Sequence, residues 1–246
     1  MAKKTYSCSD LHHSLYLAPN QVRTCCKRFF IDGKQRGDVV LLDQLETTPT
    51  IKEITHAKQE LYSKINTSIP NDCDGCPFLE EKEWGPIEKL EVRHISFEYH
   101  SVCNMKCSYC SEEYYGGLKP NYDVDQLIKN LKTEQALVNC SSVVWGGGEP
   151  VIDKNFNHLI KKITSDLNPV QRVFTNSLKF NDVLCDLLNQ NKVRITTSID
   201  AGTEKTFRLV RGRPGLNKVF QNLQKYAKKN SKLVTIKYIF TKENYK

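Results

Sequence analysis

An α/β fold with a parallel sheet is predicted for residues 85–246, preceded by a small α+β metal-cluster unit over residues 1–84. Three observations predict it. From about Leu90, short apolar runs alternate with amphipathic helical stretches, and parallel strands need such crossovers. Polar and ligand-type residues follow the carboxyl ends of those runs, where parallel sheets carry their chemistry. Finally, seven or eight of the ten cysteines gather in tight groups, and only Cys140 and Cys185 stand alone.

In the first unit, residues 14–17 and 22–24 flank Pro19-Asn20-Gln21 and predict a hairpin. Residues 39–42 are a further short extended piece. Ile54, Lys58, Leu61, Tyr62 and Ile65 stand at helical spacing. The segment ends at Pro70 and the loop Cys73-Asp74-Gly75-Cys76-Pro77. So small a unit buries little apolar surface, and a bound metal cluster would supply the missing stability.

In the second part, residues 92–99 alternate as a strand. Asp123 and Gln126 form a capping-box pattern ahead of a stripe of Val124, Leu127, Ile128 and Leu131. Residues 143–145 predict a second strand, and Asp153 caps a helix carrying Phe156, Leu159, Ile160 and Ile163. Residues 172–175 are a third strand; Asn181 caps a helix with Val183, Leu184, Leu187 and Leu188. A fourth strand over 193–199, a helix over 215–228 and a fifth strand over 233–240 complete the pattern. No sixth strand precedes Lys246, so the sheet is expected to be truncated after its fifth strand. A fragment, a shortened gene, or an N-terminal unit covering the open edge would each account for this, since an uncovered edge invites aggregation.

The 246 residues are 39% hydrophobic and 26% charged, which excludes a disordered chain. No apolar run approaches the roughly 18 residues of a membrane span. The start Met-Ala-Lys-Lys-Thr-Tyr-Ser-Cys has no apolar core of a secretory leader. The expected location is the cytoplasm, where clustered cysteines point to metal or redox chemistry rather than disulfides. Residues 1–122 carry 15 Lys and Arg against 17 Asp and Glu, residues 123–246 carry 21 against 11. A basic half suits an anionic partner, but these lysines are spread along helices without interleaved aromatics, as on solvated helix faces.

Cys103-Asn-Met-Lys-Cys107-Ser-Tyr-Cys110 places three thiols at C-x3-C-x2-C in one loop after a strand. Three such thiolates hold three corners of an iron–sulfur cube and leave the fourth iron open to a ligand, whereas structural sites are closed. A zinc site completed by His94 or His100 is the alternative, although zinc favours two separated pairs.

This loop, with Tyr109 before its last cysteine, resembles the radical S-adenosylmethionine (radical SAM) superfamily. Gly147-Gly148-Glu149-Pro150 after the second strand is similar to that superfamily's glycine-glycine-glutamate-proline motif, and Ser198-Ile-Asp200 with Arg211-Gly212 resembles its ribose-side segment. The likeness spans about residues 90–246. It implies a partial (β/α)6-type barrel, a 4Fe-4S cluster on Cys103, Cys107 and Cys110, and S-adenosylmethionine chelating the open iron. Tyr109, Gly147, Gly148, Glu149, Asn176, Ser198, Asp200 and Arg211 become cofactor-binding candidates. Gly147 and Gly148 let the backbone approach the methionyl part, Glu149 pairs with its ammonium, and Asn176, Ser198, Asp200 and Arg211 bond its carboxylate and ribose. Glu149 is otherwise an exposed loop carboxylate, and the other four are turn or capping residues.

A second set comprises Cys8, the Cys25-Cys26 pair, Cys73 and Cys76. Composition alone permits zinc there. The order cysteine, hairpin, cysteine, helix, C-x2-C is similar to the twitch, or half-SPASM, auxiliary-cluster domain, which in most relatives follows the barrel. By that resemblance the metal is a second iron–sulfur cluster, with the choice between Cys25 and Cys26 left open. Cys140 and Cys185 are expected in the core.

The implied activity is reductive cleavage of S-adenosylmethionine to a 5′-deoxyadenosyl radical that abstracts hydrogen from a substrate, with flavodoxin or ferredoxin as electron donor. Auxiliary-cluster relatives point to a peptide or protein substrate. Other such relatives act on sugars or nucleosides, the basic half keeps RNA or nucleotide modification open, and a zinc-stapled binding module is the non-enzyme alternative. No membrane partner is expected.

Overall fold

The computed structural model describes residues 4–110, 117–167 and 169–245. Met1, Ala2 and Lys3, the opening of the start that has no apolar core of a secretory leader, lie outside them. The chain packs as two compact units, Met1–Tyr99 with Pro120–Ser141, and His100–Lys119 with Ser142–Lys246. The expected division after residue 84 falls inside the first of these.

In the first unit, β1 (Thr5–Ser7) leads into α1 (Ser9–His13), and the Cys8 thiol caps that helix by accepting the Leu11 N–H at 3.4 Å. β2 (Ser14–Leu17) and β3 (Val22–Arg23) form the expected antiparallel hairpin, with Leu17 opposite Val22. A second hairpin, β4 (Arg28–Ile31) with β5 (Lys34–Gly37), turns at Asp32-Gly33. The Asp-Gly pair between apolar residues is a strong hairpin signal that the sequence expectations did not use. β6 (Val40–Leu42) pairs with β3. Next comes α2 (Ile51–Asn66), opened by a full capping box between Thr50 and Glu53. β7 (Glu80–Lys82) returns to pair with β1.

β8 (His94–Phe97), the first of the five predicted strands, runs parallel to β2, with Ser14 opposite His94 and Leu17 opposite Phe97. α3 (Val124–Thr133) buries the predicted stripe Val124, Leu127, Ile128 and Leu131. Only half of its capping box forms. Asp123 accepts the Gln126 N–H at 3.0 Å, while the Gln126 side chain donates to Asn130 Oδ1. The Tyr122 hydroxyl on Ala18 O and the Asp123 N–H on Thr48 Oγ1, both 3.0 Å, tie this helix to the N-terminal segment. Such bonds explain why the unit extends past residue 84.

In the second unit, β9 (Ser142–Trp145), β10 (Val170–Phe174), β11 (Val193–Ser198) and β12 (Val234–Lys237) are parallel neighbours in that order. α4 (Phe156–Asp166) and α5 (Asp182–Asn189) make the first two crossovers. Asp153 does not cap α4; it follows a 3-10 turn at Pro150–Ile152, and the helix begins behind Asn155. Two helices, α6 (Glu204–Arg211) and α7 (Leu216–Asn230), fill the crossover to β12, where one was expected. Thr203 caps α6 and Gly212 ends it in a left-handed conformation. This eight-residue helix buries only Phe207, Val210 and Arg211, too short an apolar stripe to stand out in the sequence. Among the described residues no strand pairs with the outer edge of β12.

Candidate cofactor site

The three-cysteine loop is anchored from below by its own apolar residue. Met105 is buried among Ile199, Ala201, Phe207, Leu216, Val219 and Leu223, and Cys107 packs against the same cluster. Backbone bonds then fix the loop to the end of α6: Lys106 N–H donates to Arg211 O at 3.3 Å and Ser108 N–H to Val210 O at 2.8 Å. The approach is close enough that a Cβ on Gly212 would lie 2.1 Å from Lys106 O.

The segment before Cys103 is held in the same way by the glycine-rich loop after β9. Gly148 N–H donates to His100 O at 3.0 Å and Glu149 N–H to Val102 O at 2.9 Å. A Cβ on Gly148 would sit 2.1 Å from Val102 O. The missing side chain of Gly148 therefore makes room for the cysteine loop's own backbone, whereas the sequence had suggested room for a cofactor. Gly147 beside it has φ +85°.

Glu149 is buried, not the exposed loop carboxylate that was the default alternative. Its Oε1 accepts from Thr175 Oγ1 at 2.6 Å and from Val151 N–H at 3.4 Å, and its Oε2 accepts from Asn176 N–H at 2.6 Å. Burial pushes its pKa up to about 6 against the pull of these donors. The carboxylate thus ties the end of β9 to the end of β10. The Asn176 side chain turns to the cysteine loop, donating to Asn104 Oδ1 at 2.6 Å and to Cys103 Sγ at 3.8 Å.

Asp200, fully buried beyond β11, accepts at Oδ2 from the Tyr109 hydroxyl at 2.6 Å and from Arg211 Nη1 at 2.9 Å. Its Oδ1 accepts the Ile239 N–H at 2.7 Å. Arg211 also donates to the Tyr109 hydroxyl. Asp200 and Arg211 were expected to face the cofactor separately; here they are partners of each other. The Arg211 Nε–H is buried without a partner among the described residues. Ser198, half-buried, ends β11.

The three thiols belong together electrostatically. Burial raises all three, and each has another of the set among its charge neighbours. Arg211 acts against that rise at each, and the Met105 N–H donates to Cys103 Sγ at 3.4 Å.

In the first unit, Cys8, Cys25, Cys73 and Cys76 share one apolar cluster with Leu11, Val39, Leu61 and Ile87. Burial pushes Cys73 up to about 12, with Cys25, Cys76 and Cys8 adding to the rise. Cys26 points elsewhere; it is exposed and hydrogen-bonds with Tyr16. The structure thus groups Cys25, and not Cys26, with the other three. Among the described residues no three His, Cys, Asp or Glu side chains are drawn together tightly enough to hold a metal ion. Cys140 and Cys185 are buried, as expected.

Thr175, Asn104 and Gly212 were not among the candidate residues, although each orders the site. Thr175 and Gly212 stood in segments already singled out, Thr175-Asn176-Ser177 and Arg211-Gly212. Asn104 carried no signal beyond lying between two cysteines.

Fold and site together define a parallel α/β protein that presents a cysteine loop, pinned by two glycine positions, beside a buried carboxylate at the carboxyl ends of its strands. The chain belongs to the Radical SAM superfamily, whose family model matches residues 97–246. The cofactors of that superfamily are a 4Fe-4S cluster and S-adenosylmethionine. The chain is 27% identical over 158 residues to the GTP 3′,8-cyclase of Clostridium botulinum (strain Okra / Type B1), covering 62% of this chain and 49% of that protein. It is 29% identical over 164 residues to the GTP 3′,8-cyclase of Psychromonas ingrahamii, covering 63% and 45%. The chain thus spans about half the length of these curated relatives. The structure of Streptococcus suis SuiB bound to precursor peptide SuiA overlays 98% of this chain and 57% of that one, at a TM-score of 0.50 and 13% identity. No described helix is long and apolar enough to cross a membrane.

Proposed function

We propose that this chain holds a 4Fe-4S cluster on Cys103, Cys107 and Cys110 and cleaves S-adenosylmethionine reductively, to begin hydrogen abstraction from a substrate. The observation that carries this is the cysteine loop itself. Three mutually coupled thiols stand on one loop whose backbone is fixed on either side by Gly148 and Gly212. The donor set fits the cluster: N–H groups of Met105 and Asn176 reach Cys103 Sγ, and Arg211 offsets thiolate charge at Cys107. When bound, the cluster supplies one electron to the sulfonium, giving methionine and a 5′-deoxyadenosyl radical.

The residues around it bind and orient. Glu149 uses three of about four carboxylate acceptor positions internally and keeps one for the methionyl ammonium. Ser198 remains available to carboxylate and ribose hydroxyls, while the Asn176 amide, bonded to Asn104, Cys103 and the Leu178 N–H, holds the cysteine loop in place beside them. Arg211 presents its free Nε–H to the carboxylate. Asp200 and Tyr109 brace the cysteine loop from the segment after β11, and Gly147 stands beside Gly148 in the loop after β9. Flavodoxin or ferredoxin supplies the electron, in a reducing cytoplasm.

Cys8, Cys25, Cys73 and Cys76 hold a second iron–sulfur cluster in this proposal. An iron–sulfur core interposes iron and sulfide between its thiolates, so neighbouring thiols that do not close on one ion still suit it. For the substrate, the auxiliary-cluster arrangement favours a peptide or protein. The curated relatives named GTP 3′,8-cyclase favour a nucleotide as the second reading. Anoxic reconstitution tests the account. Two clusters per chain and a spectrum that changes on adding S-adenosylmethionine support it; a colourless zinc protein overturns it. Stimulation of cofactor cleavage by GTP, and not by peptides, selects the second substrate.

A further inference from the structure

Lys58 is the only lysine buried among the described residues, with none of its surface exposed. It sits on the inner face of α2 beside Ile54 and Leu61. Its ammonium donates to Leu11 O at 2.7 Å, Ser14 O at 2.9 Å and Thr24 Oγ1 at 3.3 Å. No carboxylate is among those partners. A fully buried lysine without a paired anion is costly, and the sequence reads it only as part of a helical stripe.

The residues it grips explain its place. Leu11 is the residue whose N–H donates to Cys8 Sγ. Thr24 immediately precedes Cys25 and is itself bound to Asp10 O at 2.9 Å. One ammonium therefore ties α1 and the start of β2 to the segment entering Cys25. Burial lowers Lys58 to about 7, while Cys8, Asp10 and Cys25 act to keep it charged.

We propose that Lys58 is a built-in counter-ion and positioning residue for the Cys8, Cys25, Cys73 and Cys76 site, which sets the Cys8 and Cys25 segments in place and offsets the charge of their thiolates. This rests on the proposal that those four cysteines hold an iron–sulfur cluster. A buried positive charge near such a core favours its reduced, more negative state, so it raises the midpoint potential.

The test uses the 246-residue chain carrying Cys103→Ala, Cys107→Ala and Cys110→Ala, so that remaining iron reports the N-terminal site. In that background Lys58→Gln keeps hydrogen-bond donors without charge, Lys58→Met removes both, and Lys58→Arg keeps the charge. Iron, acid-labile sulfide and midpoint potential are measured after anoxic reconstitution, with circular dichroism of the metal-free chains. The expected result is a lower potential in Lys58→Gln and Lys58→Met and a potential near the parent's in Lys58→Arg. Iron retention falls in Lys58→Met, consistent with a loss of roughly tenfold or more in metal affinity for an outer partner. Equal potentials in parent and Lys58→Gln overturn the proposal. So does unfolding of both neutral variants without metal, because Lys58 would then serve the fold and not the site. A parent that takes up no iron and sulfide instead removes the auxiliary-cluster reading, a distinct outcome visible before any Lys58 variant is made.

Discussion

Tyr109 donates its hydroxyl to the buried carboxylate of Asp200 across 2.6 Å, although 91 residues separate them in the chain. The bond joins the cysteine loop to the segment that follows β11. It gives the aromatic residue before the last cysteine a mechanical role, whatever its ring does toward a cofactor. Tyr109→Phe should therefore retain the cluster but loosen the loop. The expected loss is about 1.5–3 kcal/mol of stability for a hydrogen bond to a charged group, read by denaturant unfolding. Unchanged stability would mean that the hydroxyl contributes nothing to holding the loop.

Asp200 and Arg211 form a buried ion pair, and removing one partner leaves the other charge without compensation. Asp200→Asn should cost about 3–5 kcal/mol. Adding Arg211→Met should recover part of that loss, because the stranded charge is then gone. A double variant less stable than Asp200→Asn alone would contradict the pairing. The comparison requires only unfolding curves of the two variants and the parent.

Gly148→Ala tests the loop contact. Its new Cβ would meet the Val102 carbonyl at 2.1 Å, and two backbone segments must separate to admit it. The expected cost is about 1–3 kcal/mol, with lower iron retention at the three-cysteine loop, measured by metal analysis. Gly148→Ala with parental iron and stability would show that the two loops are less tightly coupled than their geometry indicates.

Glu149 gives a pH dependence of definite sign. Its folded pKa of about 6 lies above the 4.5 of an unburied glutamate. The native state therefore binds more protons than the unfolded state between those values, and stability falls as pH rises through the window. The shift corresponds to a penalty on the order of 2 kcal/mol, complete above about pH 6. In the metal-free chain, the stability of Glu149→Gln relative to the parent should rise between about pH 4.5 and 6 and then level off. A pH-independent difference would remove the burial penalty from the account.

Much of this was legible in the sequence, for physical reasons that vary by element. The five parallel strands from β8 on and the helices beginning at Val124, Phe156, Asp182 and Leu216 showed themselves through apolar periodicity, whereas β1, β4, β5 and β7 did not. α6 did not, because its eight residues bury only Phe207, Val210 and Arg211. The cysteine groups announced a sulfur-ligated site, but spacing alone does not distinguish Cys25 from Cys26; the direction of each side chain does. The place of β8 beside β2 was likewise invisible, since pairing between distant segments leaves no periodic trace. Least legible were the polar residues turned toward other protein groups. Asp200 and Arg211 have the composition of a ligand-binding pair, and only the fold shows them bonded to each other.

Release of 5′-deoxyadenosine measures the central claim most directly. The full chain, reconstituted without oxygen and given S-adenosylmethionine and a strong reductant, should form it, and Cys107→Ala should form none. A reconstituted parent that holds its cube yet releases no 5′-deoxyadenosine, or a Cys107→Ala variant that releases as much as the parent, would contradict it.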